Sequence, residues 1–316
     1  MTEHAQQAAG ARTLRIGSRG SRLALWQANH ISAALRAQGH SVEIEIIKTT
    51  GDRMQDASFA MEQAVEQGGK GIFIKEIEEE LAAGRIDLAV HSLKDLPSEL
   101  DPRFVLAAIP ARADARDVLV MATEGALASL PQGARIGTTS PRRQAQLLRL
   151  RGDLEFMEMR GNVDTRLRKL AGGQADALVL AAAGLDRLGR TEWVRHRFEP
   201  EEMCPAPGQG ALAIETRAGD EPVIASLRAL DDSETRFCVE AERTVLHELG
   251  GGCSVPIGAY CAAESNGWRM WGCVVASDGS RRAFIETWLD LATDAAALGK
   301  AVAAHLLEQG ARAMLG

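Results

Sequence analysis

The chain has 316 residues, with 36 Lys+Arg against 43 Asp+Glu and a formal net charge of −7 at pH 7. Hydrophobic residues make up 46% and charged residues 25%, an ordinary globular composition that excludes a disordered chain or a fibre. The length suits two or three domains with ample core, and net acidity argues against a general nucleic-acid binder.

Leu14–Ile16 reads as a short strand. Ser21 then caps a helix to Gln38 whose Leu23, Trp26, Ile31, Ala34 and Leu35 share a face, with Gly39 as the C-terminal glycine. Val42–Ile47 alternates as a strand, and residues 50–71, with several glycines, read as a mobile loop. Ile72–Ala83 is a predicted helix and Ile86–Val90 a buried strand. The pattern then restarts. Strands are expected at Val118–Met121, Arg135–Gly137, Glu155–Met159 and Ala177–Leu180. Helices are expected from Ser140-Pro141 to Leu150 and over Val163–Ala171. Strand–helix alternation predicts α/β lobes with mainly parallel sheets, two of them around a cleft, joined through Pro110–Asp114 and the hinge-like Pro205–Gly210. The last third changes character. Asp232–Leu249 is a long amphipathic helix. Three strands follow near Val255–Ala262, Trp268–Ala276 and Ala283–Leu289, with turns at Asn266-Gly267 and Asp278-Gly279. Asp294–Ala311 closes a small α+β domain.

The five cysteines, Cys204, Cys238, Cys253, Cys261 and Cys273, form no CxxC pair, and the seven histidines form no HExxH. A zinc site, a thioredoxin-type pair and a secreted disulfide framework are disfavoured. Residues 1–12 lack an apolar signal core and read as a disordered tail. The longest apolar stretch, near Ala177–Leu185, is too short to span a bilayer. A cytoplasmic protein is expected, with no membrane, metal or nucleic-acid partner.

Four stretches carry chemistry. Gly17-Ser18-Arg19-Gly20-Ser21 sits between strand and helix, where free N–H groups favour anions; a plain capping turn fits equally well. In Thr138-Thr139-Ser140-Pro141-Arg142-Arg143, two arginines in a helix's first turn oppose the macrodipole, which makes better sense with an anionic partner. From 140 to 170 there are eight basic and four acidic residues, a local +4 in an acidic chain, and Arg160-Gly161-Asn162 marks a second strand-to-helix junction. A solvated basic face is the alternative. His91-Ser92-Leu93-Lys94-Asp95-Leu96-Pro97 puts an ionisable pair at the end of a buried strand; a Lys–Asp surface pair is equally compatible. Gly250-Gly251-Gly252-Cys253 leaves a thiol on a side-chain-free loop, where nearby arginines would favour thiolate; most lone cysteines are buried bystanders.

Together these stretches resemble the hydroxymethylbilane synthase (porphobilinogen deaminase) family. The matching segments are RIGSRGSRLALWQA (15–28), GGKGIFIKEIE (68–78), DLAVHSLKDLP (87–97), IGTTSPRRQAQL (136–147), MRGNVDTRLRKL (159–170), LAAAGLDRLG (180–189), PAPGQGALAIE (205–215) and GGGCSVPIGAY (250–260). The resemblance implies two lobes like those of type II periplasmic binding proteins plus a small C-terminal domain. Domain 1 would span 13–109 and 211–230, domain 2 110–210 and domain 3 231–316. It implies a monomeric transferase that joins four porphobilinogen units head to tail, releasing four ammonia, to give hydroxymethylbilane. It also implies a covalent dipyrromethane cofactor, attached by a thioether to Cys253. Asp95 matches the family's catalytic carboxylate. Arg19, Ser21, Lys94, Thr138, Thr139, Ser140, Arg142, Arg143, Arg160, Gly161, Arg166 and Arg187 fall at its cofactor- and substrate-binding positions, and Lys70 in its flexible loop. Two positions depart from the family pattern: Gly250 stands where a Glu is frequent, and Pro141 where a Leu is.

Two other readings bear on the same residues. A two-lobed anion-binding protein explains the arginines but not the glycine-loop cysteine. A cysteine hydrolase explains Cys253 but needs a histidine base, and His247 has no evident orienting partner in the sequence.

Overall fold

The computed structural model describes residues 13–47, 72–251, 255–290 and 294–315. The tail 1–12, the expected loop 50–71 with Lys70, and Cys253 lie outside the described residues. In chain order the elements are β1 (Leu14–Ser18), α1 (Arg22–Ala37), β2 (Val42–Ile46), α2 (Ile72–Ala82), β3 (Leu88–Ser92), β4 (Phe104–Ala108), β5 (Asp117–Val120) and β6 (Arg135–Gly137). They continue with α3 (Pro141–Leu150), β7 (Glu155–Met157), α4 (Val163–Ala171), β8 (Ala177–Ala181), α5 (Ala182–Leu188), β9 (Val194–Arg197), β10 (Leu212–Arg217) and α6 (Glu221–Leu227). Last come α7 (Ser233–Glu248), β11 (Ile257–Glu264), β12 (Gly267–Val275), β13 (Arg282–Asp290), α8 (Ala295–Glu308) and α9 (Arg312–Leu315).

The chain divides into two compact units: Met1–His91, Asp101–Ala108 and Ile214–Leu230 form one, and Ser92–Leu100, Ile109–Ala213 and Asp231–Gly316 the other. Two five-stranded sheets share one strand pattern, β2-β1-β3-β10-β4 and β7-β6-β8-β5-β9. In each, a lobe's first strand lies between its second and third, and a strand from a crossing segment takes the fourth place. This is the type II α/β arrangement. The sheets are mixed rather than mainly parallel. β1 runs parallel to β2 and β3, and β6 to β7 and β8, but β10 opposes β4, and β5 opposes both β8 and β9. The exceptions centre on β5 and β10, which carry the chain into one lobe and back to the other, outside the βαβ crossovers that keep strands parallel.

Local chemistry sets the helix starts. Ser21 Oγ accepts from the Ala24 amide at 3.3 Å, and Ser140 Oγ from Arg143 at 3.5 Å with Pro141 behind it. Asn162 caps α4 through Thr165 N at 2.9 Å. Gly161, just before it, has φ +114°, and a Cβ there would lie 2.8 Å from Thr165 Cγ2, so only glycine fits. The buried Ala28, Ile31 and Leu35 form the inner face of α1.

The third sheet is the antiparallel β11-β12-β13. Its core joins Val245 of α7, Ile257, Met270 and Val274 of the sheet, and Leu298, Val302 and Leu306 of α8. Glu264 pairs with Gly267, so the first hairpin turns on Ser265-Asn266 rather than on Asn266-Gly267. Gly267 is the first strand residue, needed because a Cβ would lie 2.0 Å from the Leu289 carbonyl oxygen. Ala145 of α3 packs with Cys204, Trp271, Cys273 and Val275, so α3 shares a buried cluster with β12.

Candidate active site

β3 delivers the Lys94-Asp95 pair. Its strand ends at Ser92 and passes into a 3-10 turn over Leu93–Asp95. Leu93 and Leu96 are buried on either side, and the Leu93 amide donates to Ala211 O at 3.1 Å. The turn is thereby fixed while Lys94 and Asp95 stay half-buried. Lys94 Nζ donates to Gln209 Oε1 at 3.2 Å.

The arginine pair at the start of α3 meets an anion the motifs do not mark. Asp117, the first residue of β5, is fully buried. Its Oδ2 accepts from Arg142 Nη1 at 2.7 Å, and its Oδ1 from Arg143 Nε at 2.9 Å and Nη2 at 2.7 Å. Gln209 Nε2 adds a bond to the same Oδ1 at 3.0 Å and another to Ala115 O at 2.7 Å. Burial alone would raise the Asp117 pKa; Arg142 and Arg143, with Lys94 beyond them, hold it far below the usual carboxylate range. The expected anion for the helix start is thus supplied from within the protein. Arg142 also donates to Cys204 O at 2.6 Å.

Asp95 joins this set electrostatically. Burial lowers the Arg143 pKa, and Asp117 and Asp95 oppose that. Arg166 is lowered by burial and by Arg143, and Asp95 again opposes. Arg166 Nε donates to Gly161 O at 2.9 Å. Arg187 donates through Nη2 to Gly210 O at 2.7 Å, and burial pulls its pKa down to about 10. These guanidiniums are desolvated cations, which bind carboxylates more strongly than exposed ones do.

The other expected site residues have different settings. Thr138 is buried and its Oγ1 accepts from Ser140 N at 3.2 Å, whereas Thr139 is exposed. Arg160 is exposed and donates to Glu158 at 2.8 and 2.6 Å. Arg19 and Ser21 belong to the first unit, where Arg19 is half-buried and Ser21 caps α1. Gly17 of the same stretch serves packing: a Cβ there would lie 2.3 Å from Ile86 Cδ1.

A second buried carboxylate braces the crossing segments. Glu242 of α7 takes Arg112 Nη1 and Nη2 at 2.5 and 3.0 Å, Gly208 N at 2.7 Å and Cys261 N at 2.8 Å. Arg112 Nε in turn donates to Gln209 O at 2.8 Å. Neither Asp117 nor Glu242 stands out in the sequence; the one available signal is an acid at the head of the apolar run Asp117–Val120.

Cys204, Cys238, Cys261 and Cys273 are all free and buried. Burial pushes the Cys204 and Cys273 thiols up, and a hydrogen bond with Cys238 together with burial does the same to Cys261. None of these three is an activated nucleophile. His247 faces Glu99 at 3.4 Å with both side chains exposed.

The family model described as "Porphobilinogen deaminase, dipyromethane cofactor binding domain" matches residues 14–225, and the family's C-terminal domain matches 236–308. The chain belongs to the porphobilinogen deaminase family. It is 48% identical over 305 residues to a porphobilinogen deaminase of Roseiflexus castenholzii, covering 96% of this chain and 98% of that one. Porphobilinogen deaminases of Nocardia farcinica and Xanthomonas euvesicatoria are each 46% identical, over 98% and 96% of this chain and 89% and 98% of their own. Among solved structures, an ABC-transporter periplasmic substrate-binding protein from Coxiella burnetii aligns with 71% of this chain and 94% of its own, at 15% identity and a TM-score of 0.43. Within the porphobilinogen deaminase match, Asp95, Asp117 and the arginines fall in the first region and Cys253 in the second.

Proposed function

We propose that this chain condenses four porphobilinogen units head to tail into hydroxymethylbilane, releasing four ammonia, with Asp95 as its catalytic carboxylate and Cys253 as the attachment point of a dipyrromethane cofactor. The observation that carries the reading is Asp95 half-buried within the field of Arg143 and Arg166, beside Lys94. Porphobilinogen bears an acetate and a propionate, and six rings, two of cofactor and four of product, carry twelve carboxylates. An acidic protein holds such a polyanion only through a local excess of desolvated cations. Arg143, Arg166 and Arg187 are of that kind, and one Asp117 stands against both Arg142 and Arg143, so the donor set fits the cofactor as well as the substrate.

When bound, the cofactor supplies the nucleophilic pyrrole carbon from which the chain of rings grows. Lys94, Arg143, Arg166 and Arg187 bind ring carboxylates and orient each ring. Arg19, Ser21, Thr138, Thr139, Ser140, Arg142, Arg160 and Gly161 are the further residues read as binding positions. Asp95 sets its negative charge against the positive charge that develops on the substrate pyrrole as ammonia leaves, and holds the proton returned when the new bond rearomatises. For Cys253, support comes from the glycine loop and from the burial of the other four cysteines.

A three-domain division follows the same reading, with domain 1 at 13–109 and 211–230, domain 2 at 110–210 and domain 3 at 231–316. So do a cytoplasmic location and a monomeric state. Among the described residues no helix is long and apolar enough to cross a membrane. The test is stoichiometry. Purified protein given porphobilinogen should release four ammonia per linear tetrapyrrole. Ammonia release without tetrapyrrole, or no consumption, contradicts the reading.

A further inference from the structure

We infer that Asp117 is a positioning residue for porphobilinogen: one buried carboxylate that fixes Arg142, Arg143 and, through Gln209, Lys94 in the arrangement that receives the ring carboxylates. The inference rests on the proposed function and goes beyond it, because Asp117 lies in none of the motif positions assigned to binding.

Three cations from two separate segments are referenced to this one anion. Arg143 grips Oδ1 with both Nε and Nη2, which fixes the plane of its guanidinium. Arg142 is held between Oδ2 and the Cys204 carbonyl. The Gln209 amide bonds Oδ1 with its nitrogen and Lys94 Nζ with its oxygen, so the turn carrying Asp95 is registered to the same carboxylate. Stability alone accounts poorly for such a cluster, since a buried ion group is often no more stabilising than well-packed apolar residues. Its charge balance points to binding instead. One buried carboxylate accepts from two buried guanidiniums, Arg142 and Arg143, and a substrate carboxylate arriving at them adds the negative charge that this pairing lacks. Asp117 thus neutralises enough charge to let the cations be buried and leaves enough to bind.

The test uses the holoenzyme with Asp117→Asn and Asp117→Glu, reading melting temperature, the fraction of denatured protein carrying two-ring mass, and KM and kcat for porphobilinogen. Folded Asp117→Asn should raise KM about tenfold or more, with kcat changed less and a smaller two-ring fraction; Asp117→Glu should recover part of the KM. A folded Asn variant with KM within about twofold of wild type overturns the inference. If Asp117→Asn is insoluble, Asp117→Asn/Arg142→Gln, which removes one charge of each sign, carries the test. Against Arg142→Gln alone, it should fold with KM raised further; a KM equal to that of the single variant, or insolubility here too, shows a fold-holding cluster only. Arg143→Leu separates the two readings. Unchanged KM in that variant sinks the binding site itself. Raised KM there, beside wild-type KM in Asp117→Asn, sinks only the positioning role.

Discussion

Arg142 Nη1 lies 2.7 Å from Asp117 Oδ2, and neither residue is more than 4% exposed. The pair sets an acid limit on the fold. The Asp117 carboxyl is held well below its unfolded value of about 3.9. As pH falls, the unfolded chain takes up the proton first, so stability present above pH ~4 is lost below it. The urea midpoint of the wild type should therefore fall more steeply between pH 5 and pH 3 than that of Asp117→Asn. Parallel pH curves would count against the ion triad.

Glu242 predicts a different failure. Glu242→Ala strands the Arg112 guanidinium and the Gly208 and Cys261 amides in a buried site. Breaking a buried pair of this kind costs about 3–5 kcal/mol, which for a chain of this size corresponds to roughly 5–15 °C in melting temperature. A scanning calorimetry trace within a degree or two of wild type would show that the hub is dispensable.

What the sequence discloses depends on the range of the interaction. Ser21, Ser140 and Gly39 are legible because a cap involves three or four neighbouring residues; Gly39 does adopt φ +90°. α7 and α8 are legible from their amphipathic period. β4, β9 and β10 are not marked by periodicity. β10, for example, is buried along five of its six residues, so no face alternates with solvent. The same rule divides the site. Lys94, Asp95 and the arginine pair sit in recognisable stretches, whereas Asp117 meets Arg142 across 25 residues and Arg112 meets Glu242 across 130. Each of those carboxylates acquires its role only when the sheet and the crossing segments have formed.

Cys253 should be the one cysteine that carries the cofactor. Denatured wild-type protein should exceed its sequence mass by two porphobilinogen units less two ammonia, and Cys253→Ala should show bare sequence mass and no turnover. Retention of the extra mass in Cys253→Ala would move the attachment elsewhere.

Arg143 serves both the fold and the ligand. Arg143→Leu removes one of two guanidiniums from Asp117, and Arg142 still satisfies that carboxylate, so the melting temperature should fall modestly. Losing a charge-assisted contact to a desolvated ring carboxylate costs about 1.5–3 kcal/mol, or roughly ten- to more than a hundredfold in binding. Titration with porphobilinogen at a temperature where the variant is folded reads the second effect alone. Wild-type KM with a large loss of stability would assign Arg143 to the fold only.

The charge on Asp95 is what should separate chemistry from binding in this arginine cluster. Asn keeps the shape and an acceptor but removes the charge; Glu keeps the charge on a longer arm. Asp95→Asn should retain fold and two-ring mass, with turnover reduced about a hundredfold or more, the scale of a lost acid–base or electrostatic group. Asp95→Glu should retain more activity than Asn. The measurement is single-turnover ammonia release at saturating porphobilinogen for the wild type and both variants. The expected order is wild type, Glu, Asn; an Asn rate equal to wild type would remove Asp95 from the reaction.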